Sequence, residues 1–217
     1  MRGWSVYTAA AAVAVSLTLA APTASATVER RDVLSLLRTL TVAPESGAGY
    51  DRDLFPHWDY LGDDCDVRDA VLIAEARRGP VTGDACPIGT GRWFSAFDGV
   101  SVRNPSELDV DHLVPLAEAW GSGARTWSTA VRERFANDLG YAKTLIAVSA
   151  SSNRSKGDQD PAEWLPPRTS YRCTYISSWI GVKYRWRLSV DAREEAALRV
   201  LATACGNPAI AVPARAR

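Results

Sequence analysis

The chain has 217 residues, 47% of them hydrophobic and eight of them tryptophan, which is enough apolar material for a proper core at a length that suits one domain better than two. Twenty-five Lys and Arg face 25 Asp and Glu, so overall charge neither selects nor excludes a polyanionic partner, and local charge has to decide. After the first residues no apolar run is long enough for a bilayer span, which excludes an integral membrane protein once that start is removed. The start itself reads as an export signal. Arg2 is followed by the nearly uncharged apolar run Tyr7–Ala20 and by Ala24-Ser25-Ala26, small residues suited to cleavage. Met1–Ala26 is therefore read as a signal peptide, and 27–217 as a single secreted, monomeric domain with no membrane contact after processing.

Val33, Leu37 and Leu40 fall at helical spacing and predict a helix over Val28–Leu40. An irregular segment rich in aromatics and charge follows from Tyr50 to Asp64, then a second helix over Asp66–Arg77. The stretch Gly79–Gly91 is broken by glycine and proline. Trp93–Phe97 and Val100–Arg103 flank Asp98-Gly99, a dipeptide suited to a tight hairpin. Glu107–Asp111 reads as a short strand stopped on the approach to Pro115. Ser128 caps a helix that carries Val131, Phe135 and Leu139 and closes at Gly140. Thr144–Val148 is a second short strand, followed by a brief helix from Ser149 or Ser151 to Lys156 that Gly157 ends. Asp160-Pro161-Ala162-Glu163 has the form of another helix start. Tyr175–Arg185 and Ala192–Ala204 complete the helices.

Four cysteines, Cys65, Cys86, Cys173 and Cys205, form an even set without C-x-x-C spacing, which in an exported chain favours disulfides over zinc. Three pairings are possible. The sequential one, Cys65 with Cys86 and Cys173 with Cys205, is preferred because each bond closes a local unit.

The chain has only two histidines, and His112 stands between Asp111 and Leu113 at the end of a predicted strand. Asp109 and Asp111 share one strand face, and Asp111 and His112 converge only where the strand ends. The exit Leu113-Val114-Pro115 supplies that ending. Further on, Ser149–Asp158 places Asn153 with Arg154 and Lys156 on a short capped helix. The asparagine amide oxygen is a hard neutral ligand suited to magnesium, and the two cations suit phosphate. Glu118 and Asp109 are read as carboxylates supporting the site and Arg52 as a further phosphate contact, while His57, in an aromatic stretch, is read as packed or surface.

Together these residues resemble the HNH, or ββα-metal, nuclease motif. Asp111-His112-Leu113-Val114-Pro115 is similar to its first strand and Asn153-Arg154-Ser155-Lys156-Gly157 to its metal-binding helix. From about Tyr50 to Cys205 the chain is also similar to exported bacterial HNH proteins related to the C-terminal domain of GmrSD-type restriction enzymes. The markers are Tyr50-Asp51-Arg52, Cys65 and Cys86, Asp109–Trp120, Leu145–Asp158 and Trp164-Leu165-Pro166-Pro167. The resemblance implies an α+β fold with a ββα-metal core over about 107–158, added helices and a small antiparallel hairpin. It implies a metal-dependent endonuclease acting on DNA, with RNA as second candidate. His112 is then the general base, and Asp111 and Asn153 hold Mg2+ or Mn2+. Arg154, Lys156 and Arg52 hold the substrate backbone. One position departs from the motif: Thr144 stands where an asparagine orients the base. Its hydroxyl or a backbone carbonyl then has to serve, and Thr144→Asn is expected to keep or raise activity. A binding protein of the same fold with a decayed metal centre is the alternative reading.

Overall fold

The computed structural model describes residues 29–77, 86, 88–89 and 91–216. The proposed signal peptide and its junction at Thr27 lie outside the described residues, as does most of the Gly79–Gly91 stretch. Arg30–Asp32 forms β1 and Val33–Leu37 forms α1. The helix starts at Asp32, whose Oδ1 accepts from Ser35 N at 2.8 Å. It is shorter than its periodicity predicts because the preceding residues are drawn into an antiparallel pair with the C-terminal segment. No local pattern announces a partner that far along the chain.

Tyr60–Gly62 (β2) and Cys65–Asp66 (β3) make a small hairpin that leads into α2, Val67–Glu75. Asp66 and Asp69 cap that helix reciprocally, each side chain accepting from the other's backbone N–H. Trp93–Phe94 (β4) and Ser101–Val102 (β5) pair across the Asp98-Gly99 turn, where Gly99 takes φ +82°. Next come β6, Leu108–His112, and α3, Leu116–Gly121. The sequence pattern does not announce α3. Pro115, which stops the strand, also stands directly before the first turn, where its missing N–H costs nothing.

α4 spans Thr129–Ala136 and stops at Asn137, short of Gly140. The Asn137 side chain donates to Pro56 O at 3.0 Å and accepts from Asp59 N at 3.0 Å, contacts that pull the chain away from the helix axis. β7, Leu145–Ser149, runs straight into α5, Ala150–Lys156. The anticipated helix at Asp160 is a single turn: Glu163 N and Trp164 N both donate to Asp160 O, and Pro166-Pro167 allow no continuation. α6 (Arg172–Trp186) and α7 (Ala192–Ala204) follow, and β8 (Ala209–Ala211) closes on β1.

The architecture is thus mixed helix with four small antiparallel strand pairs among the described residues. β6 and β7 pair from Leu108↔Ser149 to His112↔Leu145. β7 is buried on both faces: Leu145 and Ala147 enter a smaller cluster with Val67, Val71 and Leu72 of α2, while Ile146 and Val148 enter the main core built around α6. That double burial explains why it reads as an unbroken apolar run rather than an alternating one.

Both disulfides follow the sequential pairing, Cys65 with Cys86 and Cys173 with Cys205. The second ties the first turn of α6 to the residue after α7, closing a loop of sequence separation 32. Replacing Cys173 and Cys205 together by alanine is expected to cost about 3 to 4 kcal/mol, the range for a loop of this size. Denaturant unfolding of the variant beside the wild type measures it.

Candidate active site

On β6, Leu108 and Val110 enter the smaller apolar cluster, so Asp109 and Asp111 share the opposite face. α5 begins at Ser149, whose side chain accepts from Ser152 N, and ends at Gly157 with φ +56°. Asn153 and Lys156, three residues apart, lie on one face of that helix. The two faces meet as a ladder. Asn153 Nδ2 donates to Asp109 Oδ2 at 3.0 Å, and Lys156 Nζ donates to Asp111 Oδ1 at 2.8 Å and to His112 O at 3.1 Å.

Asp111 is 6% exposed and Lys156 fully buried. Burial pushes the Asp111 carboxyl above its ordinary range, against the pull of the Lys156 ammonium. Asp111 Oδ2 is buried with no hydrogen-bond partner. Leaving such an oxygen unpaired is costly unless something else satisfies it.

His112 lies at the end of β6, its ring stacked on Trp58 at 5.5 Å and facing Phe135 at 6.4 Å. Its Nε2 is 2.8 Å from Ala136 O, at the C-terminal end of α4. A carbonyl only accepts, so Nε2 carries the proton. Burial lowers the imidazole to about 3 from an ordinary value of 6.5, and the Ala136 bond offsets only part of that. The ring is therefore neutral near pH 7 and protonated on Nε2, which leaves Nδ1 as the nitrogen that carries the lone pair. His57 has the opposite tautomer: Nδ1–H donates to Phe55 O at 2.7 Å, and Nε2 is 3.4 Å from Arg52 Nη2. It is part-buried as expected, yet its ring stands 6.3 Å from that of His112.

Asp111, His112 and Asn153 line one cavity of about 310 Å3 together with Arg52, Arg154, Tyr50 and Asp158. A larger concavity of about 440 Å3 beside the Cys173–Cys205 bond has no comparable pairing of acid, base and amide. Both exposed arginines assigned to substrate are thus at the cavity.

Three other assignments are corrected. Lys156 is no phosphate contact, because its ammonium is buried against Asp111. Glu118 is turned by α3 away from the dyad and bonds Lys183 Nζ of α6 at 2.5 Å. Thr144 does not reach His112. Its hydroxyl donates to Asp138 Oδ2 at 2.9 Å, and the Ala136 carbonyl meets the His112 ring instead. Thr144 is 1% exposed, so Thr144→Asn inserts a larger amide into a filled site and is expected to lower activity, not raise it. Thr144→Val, which removes only the donor, is expected to cost about 1 to 3 kcal/mol, read by thermal unfolding. Trp58 and Ala136 were missed. The first sits beside His57 in sequence at φ +64°, and the second acts through its backbone, which leaves no mark on residue type.

The residues fit a hard divalent cation. Asp111 offers an unpartnered oxygen, and Asn153, with its amide nitrogen committed to Asp109, keeps its amide oxygen for another partner. Two oxygen donors suit magnesium or manganese better than a soft ion.

Residues 89–200 match the family model described as GmrSD restriction endonucleases, C-terminal domain. That span holds β6, β7, α5 and every cavity residue named above except Tyr50 and Arg52. A protein from Arthroderma benhamiae described as an uncharacterized secreted protein is 45% identical over 172 residues, covering 79% of this chain and 83% of that one. It is fungal, so this likeness does not bear on the bacterial proteins of the sequence resemblance. No solved structure matches the chain.

Proposed function

Because this chain belongs to the family of the GmrSD restriction endonuclease C-terminal domain, we propose that it is a secreted, metal-dependent nuclease of HNH type that hydrolyses phosphodiester bonds of DNA. The observation that carries this reading is one cavity holding a neutral His112 of fixed tautomer beside the buried, unpartnered oxygen of Asp111.

His112 Nδ1 takes a proton from water as the water oxygen bonds to phosphorus and the bond to the 3′ oxygen breaks. The departing oxygen takes its proton from solvent, and His112 later returns its own. Asp111 Oδ2 and Asn153 would hold a divalent ion, Mg2+ or Mn2+, which would supply positive charge to offset the negative charge that builds up during cleavage. Asp109 fixes the asparagine amide, and Lys156 fixes Asp111 through its other oxygen. Arg52 and Arg154 hold the backbone phosphates, contacts that carry no sequence information. The Ala136 carbonyl on His112 Nε2 supports an active centre over the alternative of a decayed one, because it stands in for the orienting asparagine that Thr144 replaces.

Export is supported by the signal-like start, the two disulfides and the secreted relative. Among the described residues no helix is long and apolar enough to cross a membrane. The test of the activity is incubation of the mature protein with plasmid, single-stranded DNA and RNA, with Mg2+, Mn2+ or chelator. Cleavage of DNA that needs the ion is expected, and intact substrates under every condition would overturn the reading.

A further inference from the structure

Asp138 lies in the segment that leads from α4 to β7 and is 6% exposed. Its carboxylate accepts five hydrogen bonds. Oδ1 takes Gly140 N at 3.0 Å and Arg185 Nη2 at 2.8 Å; Oδ2 takes Arg185 Nε at 2.7 Å, Trp186 Nε1 at 2.9 Å and Thr144 Oγ1 at 2.9 Å. A forked guanidinium and an indole from the last turn of α6 thus grip one carboxylate from two sides. Arg185 is itself held, its Nη1 donating to Ala214 O at 2.5 Å while its carbonyl accepts from Ala216 N at 3.1 Å.

Both ends of the segment touch the neighbourhood of His112. Before Asp138, Ala136 O accepts the His112 Nε2–H; after it, Thr144 O accepts Leu113 N at 2.9 Å. The carboxylate therefore fixes a loop whose two ends hold the imidazole and the residue that follows it. Neither Asp138 nor Arg185 lines the cavity around His112.

We propose that Asp138, gripped by Arg185, is a positioning residue that acts through the Ala136 carbonyl to hold the His112 proton on Nε2 and leave Nδ1 as the base. This rests on the reading of His112 as general base. Loosening the clasp frees the carbonyl, and the ring, still stacked on Trp58, then loses the hydrogen bond that selects its tautomer, while the cavity arginines and the oxygen donors stay in place.

The chain's two histidines make the test simple, because their ring protons sit on opposite nitrogens. In protein labelled with 15N-histidine, the wild type shows a solvent-protected Nε2–H for His112 and an Nδ1–H for His57. Asp138→Asn keeps the size and removes the charge. It is expected to lose the protected His112 signal, keep that of His57, and lower kcat on plasmid at least tenfold with KM within about threefold. Arg185→Lys, which removes the fork but keeps the charge, is expected to fall between, and it carries the test where Asp138→Asn fails to fold by circular dichroism. A folded variant with the wild-type His112 signal and wild-type kcat would overturn the proposal. So would equal loss of both histidine signals, the mark of general loosening. Should the wild type cleave nothing with any divalent ion, the nuclease reading fails, and the two ring-proton signals still decide whether Asp138 sets the state of His112.

Discussion

Asp111→Asn and Asn153→Ala are expected to weaken Mg2+ binding by about 10- to 100-fold or more and to lose cleavage accordingly, with part of the loss returning at high Mg2+. The choice of asparagine at 111 follows from the geometry. Asp111→Ala leaves the buried Lys156 ammonium without its partner, and an orphaned buried charge costs about 3 to 5 kcal/mol, which would confuse loss of fold with loss of ion. Asp111→Asn keeps an oxygen for Lys156 and removes the negative charge from the cavity. Asn153→Ala keeps the Asp111 carboxylate in the cavity, so high ion concentration is expected to recover more of its activity than of the other variant's. Calorimetric Mg2+ titration and single-turnover cleavage over a range of Mg2+ give both numbers. Equal activity of either variant to wild type at limiting Mg2+ would remove that residue from the ion site.

Lys183→Met is expected to destabilise the fold by about 3 to 5 kcal/mol, the cost of breaking a buried ion pair by removing one partner. Lys183 is fully buried in α6, and its Nζ lies 2.5 Å from Glu118 Oε1, 2.6 Å from Glu194 Oε2 and 3.5 Å from Glu45 Oε1. The oxygens of these three carboxylates cluster closely enough to hold a cation, and the ammonium already stands among them. Burial pushes Glu45 up to about 8 and Glu194 up to about 7, against the pull of Lys183, from an unfolded value of 4.5. With folded values above unfolded ones, the folded state holds protons that the unfolded chain has released. This contribution is whole below pH 4.5 and is lost as pH rises through 7 to 8. Wild-type stability is thus expected to decline from about pH 7 to 8.5, where the opposite contribution of His112, whose folded value lies below the ordinary 6.5, is small because the unfolded imidazole is mostly neutral as well. Lys183→Met leaves the carboxylates without compensation, so its deficit is expected to widen with pH over the same window. Thermal unfolding of both proteins at pH 6.5, 7.5 and 8.5 reads the effect. A deficit that shrinks as pH rises would contradict this account of the cluster.

What the sequence shows well is what neighbours in sequence decide. α7 runs over the residues its pattern marks because Asp191 caps it locally, accepting from Glu194 N. β6, β7 and α5 are likewise visible, each bounded by its own cap, glycine or proline. The shortened α1 and α4 are not, since the pairing of β1 with β8 takes the start of the first and contacts to Pro56 and Asp59 stop the second.

The site divides in the same way. Asp109, Asp111 and Asn153 lie in two short segments whose periodicities predict the faces they present, and His112 joins them because the strand ends at it. Lys156 was misread although the signal was present: three residues from Asn153, it had to lie on the same helix face and so meet the strand carboxylates, whereas Arg154 points elsewhere. Glu118 is close to the dyad in sequence and remote in contact, because α3 directs it to α6. The Ala136 carbonyl and the Asp138 clasp are assembled from α4, the β7 approach and α6, and no spacing within one segment announces them.

The most direct measurement is single-turnover cleavage of plasmid DNA with Mg2+ by wild type and by His112→Ala, each first shown to be folded and to bind the ion. The variant is expected to keep ion and DNA binding and to cleave about 10²- to 10⁴-fold more slowly, the usual contribution of a general base. A folded His112→Ala that cleaves at the wild-type rate would contradict the assignment of His112 as the base and with it the HNH mechanism for this protein.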